Sequence, residues 1–341
     1  MKPIYLDYNA TTPIDPEVAA AMLPCIREHF GNPSSAHVYG VEARRIVEEA
    51  RGQVASLLGC SPGEVLFTSG GTESNNHAVK GAARALRRRG NHIVTSAVEH
   101  PAVMEVCRAL SAEGFEVSVI PVDATGLVDL AALERAIGDR TVLVSVMHAN
   151  NEVGTIQPVA EIARLARRRG VLVHTDAAQT VGKIPVDAAD LGVDLLTVAG
   201  HKLYAPKGVG ALYIREGVRL ETFMHGAGHE AGRRAGTENV IGIAGLGAAC
   251  EAARRDLDGN RERMRKTRDR LQDGLLRAVE GVRVNGHPEQ RLPNTLSVSF
   301  RGLDAGALLA AMEGLAASAG AACHGASVEV SRTLRAMAVP L

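Results

Sequence analysis

From about residue 64 to residue 214, short β-branched runs alternate with longer stretches whose apolar residues recur at helical spacing. The strand candidates are EVLFT (64–68), HIVTS (92–96), EVSVI (116–120), TVLVSVM (141–147), VLVHTDA (171–177), DLLTVA (194–199) and VGALYI (209–214). Segments such as 72–89 and 158–169 read as helices, with arginine at the C-terminal end where the helix dipole favours a cation. Near-continuous apolar strands separated by helices predict an α/β fold, with a mainly parallel seven-stranded sheet covered on both faces. In such sheets ligands collect at the carboxyl ends of the strands. The texture changes after Glu238: a small-residue helix (about 238–256) leads into a separate, charged helix (258–280). A smaller α+β segment follows, with a strand at 295–300 and a helix at 304–313. The expected organisation is a large domain over 16–257 and a smaller one over 258–341, with residues 1–15 contributing to the smaller.

Composition narrows the classes. With 341 residues, 46% of them apolar and 22% charged, the chain has material for a packed interior and about two ordinary domains. A formal charge of zero excludes the basic field that a dedicated nucleic-acid or membrane-surface protein needs. The N-terminus MKPIYLDYNATTP has no apolar leader, and no apolar run approaches the roughly 20 residues that span a bilayer. The five cysteines (25, 60, 107, 250 and 323) are scattered without a CxxC pair, so the expected setting is a reducing cytoplasm. Cys25, Cys60, Cys107 and Cys250 lie in or beside helical patterns and read as small hydrophobes.

Five loops at strand ends carry unusual polar content. FTSGGTESNN (67–76) runs from a strand into a helix, which suits an anion on exposed backbone N–H groups or, equally, a plain Thr72 N-cap. VEH (98–100) and HANNEVG (148–154) each have an ordinary reading, a satisfied histidine and an asparagine-rich turn. HTDAAQ (174–179) puts Asp176 at the end of an apolar strand, where a carboxylate is costly unless it meets a cation or a protonated nitrogen. In GHKLYAPKG, Lys202 is one of only six lysines, set in a glycine- and proline-rich loop. Together the loops describe one ligand: a phosphate at Gly71 and Thr72, a ring on His100, a ring nitrogen at Asp176, and a carbonyl captured by the Lys202 amine. That ligand is pyridoxal 5'-phosphate.

At this point the chain resembles the class V, fold-type I pyridoxal-phosphate enzymes, and within them the cysteine desulfurases. YLDYNATTP, FGNPSS, FTSGGTESNN, VEH, NNEVG, HTDAAQ, GHKLYAPKG, AGTEN and SAGAACHG match that family's blocks in order and at similar spacing. The resemblance implies that Lys202 holds the cofactor aldehyde, that His100 stacks on the ring and assists proton transfer, and that Asp176 pairs with the ring nitrogen. It assigns Gln179 and Asn151 to the ring hydroxyl or substrate side, and Gly71, Thr72, Ala199, Gly200 and His201 to the phosphate. Thr237, in AGTEN, is implied to reach the phosphate of a neighbouring subunit, which makes a homodimer the expected state. Cys323 resembles the nucleophile that takes sulfur from L-cysteine, leaving L-alanine and a persulfide for an iron–sulfur scaffold or another sulfur acceptor. No metal is expected, and His225 and His229 read as loop residues.

The resemblance is nearly as close to selenocysteine lyases, which would act on L-selenocysteine with the same residues. Members of the family continue beyond the position matching Leu341 into an Arg-x-Ser-x-Gly-Arg block whose first arginine binds the substrate carboxylate. The smaller domain is therefore expected to be C-terminally incomplete over 258–341, which leaves a third reading, a non-catalytic partner of a sulfur-accepting scaffold.

Overall fold

A computed structural model describes residues 2–320 and 331–339. The chain begins with β1 (Ile4–Tyr5), then α1 (Pro16–Arg27) and α2 (Val38–Leu58). β2 (Val65–Thr68), α3 (Gly71–Ala85), β3 (His92–Ser96), α4 (Pro101–Ala112), β4 (Glu116–Ile120), α5 (Leu130–Ala136) and β5 (Thr141–Ser145) follow. Next come α6 (Val159–Arg168), β6 (Leu172–Asp176), α7 (Ala188–Leu191), β7 (Leu195–Ala199) and β8 (Gly210–Ile214). The remainder is α8 (Val240–Ala278), β9 (Val282–Asn285), β10 (Ser297–Phe300), α9 (Ala305–Ala311), β11 (Leu315–Ala316) and α10 (Arg332–Ala336).

Seven strands form one sheet in the order β2-β8-β7-β6-β5-β3-β4. Only β8 runs against its neighbours; the other pairings are parallel. Neighbouring residues of each strand point to opposite faces, and both faces are buried. Val65 and Phe67 of β2 join the core beneath α2, α6 and α8, while Leu66 between them joins the core beneath α3 and α4. This is why the strands read as unbroken apolar runs rather than as alternation.

The two helices expected at 238–256 and 258–280 are one helix of 39 residues, α8. Its first third buries Gly242, Ile243, Gly245, Leu246, Gly247, Ala249 and Cys250. Gly247 is where α2 crosses, since a Cβ there would lie 2.7 Å from Ala50 Cα. Gly259, just past the expected division, faces open space within the helix. One glycine costs about 1 kcal/mol in a helix interior. Helical ion pairs such as Arg265–Glu262 at 2.9 Å flank it, and Arg255 ties the same stretch to Glu17 of α1 at 2.9 Å.

Beyond α8 lie two small pairings, β9 with β10 antiparallel and β1 with β11 parallel. The N-terminal strand thus joins the C-terminal part of the chain. The following turn, residues 7–12, then crosses to the carboxyl edge of the main sheet, where Thr12 N donates to the His201 carbonyl at 3.0 Å. Among the described residues no helix is long and apolar enough to cross a membrane.

Candidate active site

The polar loops picked out above leave the carboxyl ends of β2, β3, β5, β6 and β7, and so gather along one edge of the sheet. β7 ends at Ala199, and Gly200–Lys202 makes a single 3-10 turn. The Lys202 amine donates to the backbone carbonyls of Asn9 and Ala10, the latter at 2.7 Å. Asn9 is a junction. Its Nδ2 donates to the Asn151 carbonyl at 3.1 Å and to Thr295 Oγ1 at 2.9 Å, while its Oδ1 accepts from Asn294 Nδ2 at 2.8 Å. Thr11 Oγ1 pairs with His201 Nδ1 at 3.2 Å, and Thr12 Oγ1 donates to the His201 carbonyl at 3.0 Å. The N-terminal turn therefore straps the lysine loop from above.

Asp176 is 6% exposed and has no ion-pair partner among the described residues. Its Oδ2 accepts from Asn75 Nδ2 of α3 at 2.7 Å and its Oδ1 from the Ala178 N–H at 3.0 Å. Gln179 Nε2 donates to the same Asn9 carbonyl that receives Lys202, at 2.9 Å, and its Oε1 accepts from Lys183 Nζ at 2.9 Å. Burial, and then the charge of Lys202, pulls the Lys183 amine down to about 7. Burial, then Lys202, Lys207, Lys183 and His100, holds His201 at about 4. The site is a group of cationic and neutral nitrogens around one carboxylate.

His100 caps α4: its Nδ1 accepts from the Ala102 N–H at 3.1 Å, which places the ring proton on Nε2. Beside it Glu99 is buried, and desolvation pushes its carboxyl up to about 8 despite bonds from Ser96 Oγ at 2.5 Å and the Met147 N–H at 2.9 Å. At the β2 end the N-cap of α3 is Gly70 with φ 142°, not Thr72, which sits one residue inside the first turn. The chain must turn sharply there, and only glycine adopts that backbone without strain. The first intrahelical bond is Ser74 N to Gly70 O, so the N–H groups of Gly71 and Thr72 have no partner within the helix. A Cβ on Gly71 would lie 3.1 Å from Ala199 Cβ, so the two expected phosphate loops stand against each other with only small residues between.

These residues fit pyridoxal phosphate. The buried carboxylate has no cation of its own, Asn75 Oδ1 next to it has no hydrogen-bond partner among the described residues, and a helix start and several cationic nitrogens answer an anion. Lys202 supplies the amine.

At one edge of the sheet the structure holds Lys202, Gln179 and the Asn151 carbonyl in one bonded set, with His201 beside it through Thr11 and Thr12 and Asp176 in a separate contact; their partners are Asn9, Lys183 and Asn75. Those last three were not singled out from the sequence. Asn9 lay within YLDYNATTP, but its role is long-range and has no local signal. Lys183 carried no signal beyond being one of six lysines. Thr237 is exposed, on a segment pinned by Arg234–Glu73 at 2.8 Å and Arg51–Glu230 at 2.7 Å. Cys323 lies outside the described residues. Of the other cysteines, burial raises the thiols of Cys60, Cys107 and Cys250 to about 12 and that of Cys25 above its ordinary value, which makes them poor nucleophiles.

The chain matches the Aminotransferase class-V family over residues 4–338. It is 48% identical over 340 residues to a cysteine desulfurase IscS of Dictyoglomus turgidum, covering 99% of this chain and 86% of that protein. Among solved structures, a NifS-like protein superposes with a TM-score of 0.93 at 42% identity, covering 99% of this chain and 90% of that one. A structure of SspA in complex with cysteine superposes with a TM-score of 0.88 at 34% identity, covering 98% and 94%.

Proposed function

The chain belongs to the class-V aminotransferases, and on that premise we propose that it is a pyridoxal-phosphate-dependent cysteine desulfurase that moves the sulfur of L-cysteine to Cys323 and releases L-alanine. The observation that carries the reading is the gathering at the carboxyl edge of the sheet of Lys202 and Gln179, which share the Asn9 carbonyl, of the buried Asp176, and of the helix start at Gly71.

When bound, the cofactor supplies an aldehyde for an amine and a ring that accepts electron density from the substrate carbon. Lys202 holds the aldehyde and moves protons at the substrate carbon, starting from its place against the Asn9 and Ala10 carbonyls. Asp176, buried and pre-set by Asn75 and the Ala178 N–H, accepts the ring nitrogen's proton in a hydrogen bond. His100, with its proton on Nε2, would lie on the ring, and Gln179 and Asn151 would serve the ring hydroxyl or the substrate. Gly71, Thr72, Ala199, Gly200 and His201 hold the phosphate, with Thr237 of one chain serving the phosphate of its partner in a homodimer. An apolar surface supports that assembly: Phe30 and Tyr39 stack at 5.2 Å beside Val38, and the three are 75%, 54% and 73% exposed. The Cys323 thiolate attacks the substrate sulfur. The S–S bond forms as the C–S bond breaks, the electron pair goes to the carbon side, and a proton delivered there completes alanine. The persulfide is then handed to an acceptor protein, such as an iron–sulfur scaffold.

The test is the visible spectrum of the chain loaded with pyridoxal phosphate, before and after L-cysteine, with the mass of the Cys323 peptide read at the end. A bound chromophore that changes with cysteine, together with one added sulfur on Cys323, is expected; Cys323→Ala should keep the chromophore and lose the sulfur. A chain that takes up no cofactor, or a Cys323→Ala variant with full sulfur transfer, overturns the reading.

A further inference from the structure

Lys183 is 4% exposed and has no carboxylate partner among the described residues, an expensive place for an ammonium group. It lies in the turn between β6 and α7, among the core residues Val181 and Val186. Among the described residues its amine bonds to one acceptor, Gln179 Oε1, at 2.9 Å. The amine carries N–H donors whether charged or neutral and donates to Oε1, so the Gln179 oxygen faces it and the Gln179 amide donor faces the other way. There, at 2.9 Å, Nε2 meets the Asn9 carbonyl that also receives the Lys202 amine. Lys183 on one side and the acceptor-only Asn9 carbonyl on the other hold the amide in one orientation; without Lys183, Asn9 alone opposes a flip that would present an oxygen where the site needs a donor.

We propose that Lys183 is a positioning residue whose single bond to Gln179 fixes that amide with its Nε2 turned toward the Lys202 site, ready to donate to an anionic oxygen of the cofactor ring. The proposal rests on the pyridoxal-phosphate reading above. Its content is separate: Lys183 touches neither cofactor nor substrate and acts through Gln179. The other charged and titratable groups around this point are Lys202, His201 and Lys207 after β7, His100 at the start of α4, and Asp176 at the end of β6. A direct effect of the Lys183 charge on Lys202 is the rival, and a cycle of variants separates the two.

The experiment loads the parent, Lys183→Met, Gln179→Ala and the double variant with pyridoxal phosphate and follows the visible spectrum against pH without substrate. Removing a donor from a charged oxygen should raise the midpoint by about one pH unit in Lys183→Met and in Gln179→Ala. If Lys183 works through Gln179, the double variant shifts no further than Gln179→Ala alone. Equal shifts from Lys183→Met with and without Gln179, or no shift at all, overturn the proposal. Lys183→Gln, which also abolishes the donor-only constraint, carries the same cycle if the Met variant does not melt cooperatively. A parent chain that binds no chromophore would instead overturn the functional reading, so the two failures are distinct.

Discussion

Glu230 offers a quantitative test of how the segment carrying Thr237 is held. Its carboxylate accepts from Arg51 Nη2 at 2.7 Å, Arg51 Nη1 at 2.9 Å and the Phe67 N–H at 2.9 Å. The Arg51 and Glu230 side chains are 10% and 3% exposed, and the guanidinium lies 4.7 Å over the Phe67 ring. Burial pulls the guanidinium pKa down, but the hydrogen bonds and charge of Glu230 more than offset it, and the net shift is upward. The same carboxylate holds an unfavourable backbone, since Glu230 and Ala231 adopt φ values of 49° and 56°. Breaking a buried pair from one side costs about 3–5 kcal/mol. Arg51 retains Glu48 and the Val65 carbonyl, so the low end, about 3 kcal/mol, applies to Glu230→Gln. Release of one left-handed residue returns about 1–2 kcal/mol, which leaves a net loss of about 1–2 kcal/mol. Equilibrium urea unfolding should show that loss, and hydrogen exchange should rise over residues 226–237. Ala231→Gly, which relieves strain and keeps the pair, should stabilise by up to about 1 kcal/mol. Arg51→Met combined with Glu230→Gln should cost less than the sum of the two single changes. Strict additivity, or a Glu230→Gln loss below about 0.5 kcal/mol, refutes the assignment of this pair as the clamp.

Two further outcomes concern buried carboxyls. Glu99 is held protonated in the folded chain up to about pH 8, chiefly by desolvation, against an ordinary value of 4.5. Its contribution is therefore fully present below the unfolded value and is lost as pH rises toward 8, so parent stability should fall across that window by up to a few kcal/mol. Glu99→Gln should flatten the fall, and urea unfolding at pH 5.5, 7 and 9 checks it; parallel curves would contradict the buried neutral carboxyl. Asn75→Asp places a second carboxylate against Asp176, where the present contact is 2.7 Å, and one of the two must take a proton. Affinity for pyridoxal phosphate, measured by spectral titration, should fall at least about tenfold, and an unchanged affinity would remove Asp176 from the ring-nitrogen role.

How far the chain could be read without its structure differs from element to element. HIVTS and EVSVI are strands with the expected ends, because an apolar β-branched run between turn signals is a local property. The texture of the chain divides α8 near residue 257, because a change from small to charged residues carries the local signature of one helix ending and another beginning. Contacts with α1 and α2, far away in sequence, override that signature. At α3 the glycine pair already marked a turn into a helix, but which residue caps it depended on the backbone angle at Gly70.

The chemistry divides in the same way. Lys202, Asp176, His100 and the Gly71 helix start could be named from residue type and strand-end position, since a parallel α/β sheet carries all such loops to one edge, whereas Gln179 is named through the family resemblance. The tertiary structure alone decided that Asn9 would join Lys202 to Gln179, that Asn75 would set Asp176, and that Lys183 would be buried with its amine on Gln179. It also decided that Glu230 would accept a left-handed backbone for the sake of Arg51. Period and propensity are written in neighbours a few residues apart. The ionic state, orientation and strain of a buried polar group are set instead by whatever distant segment packs against it, and that is known only once the chain has closed.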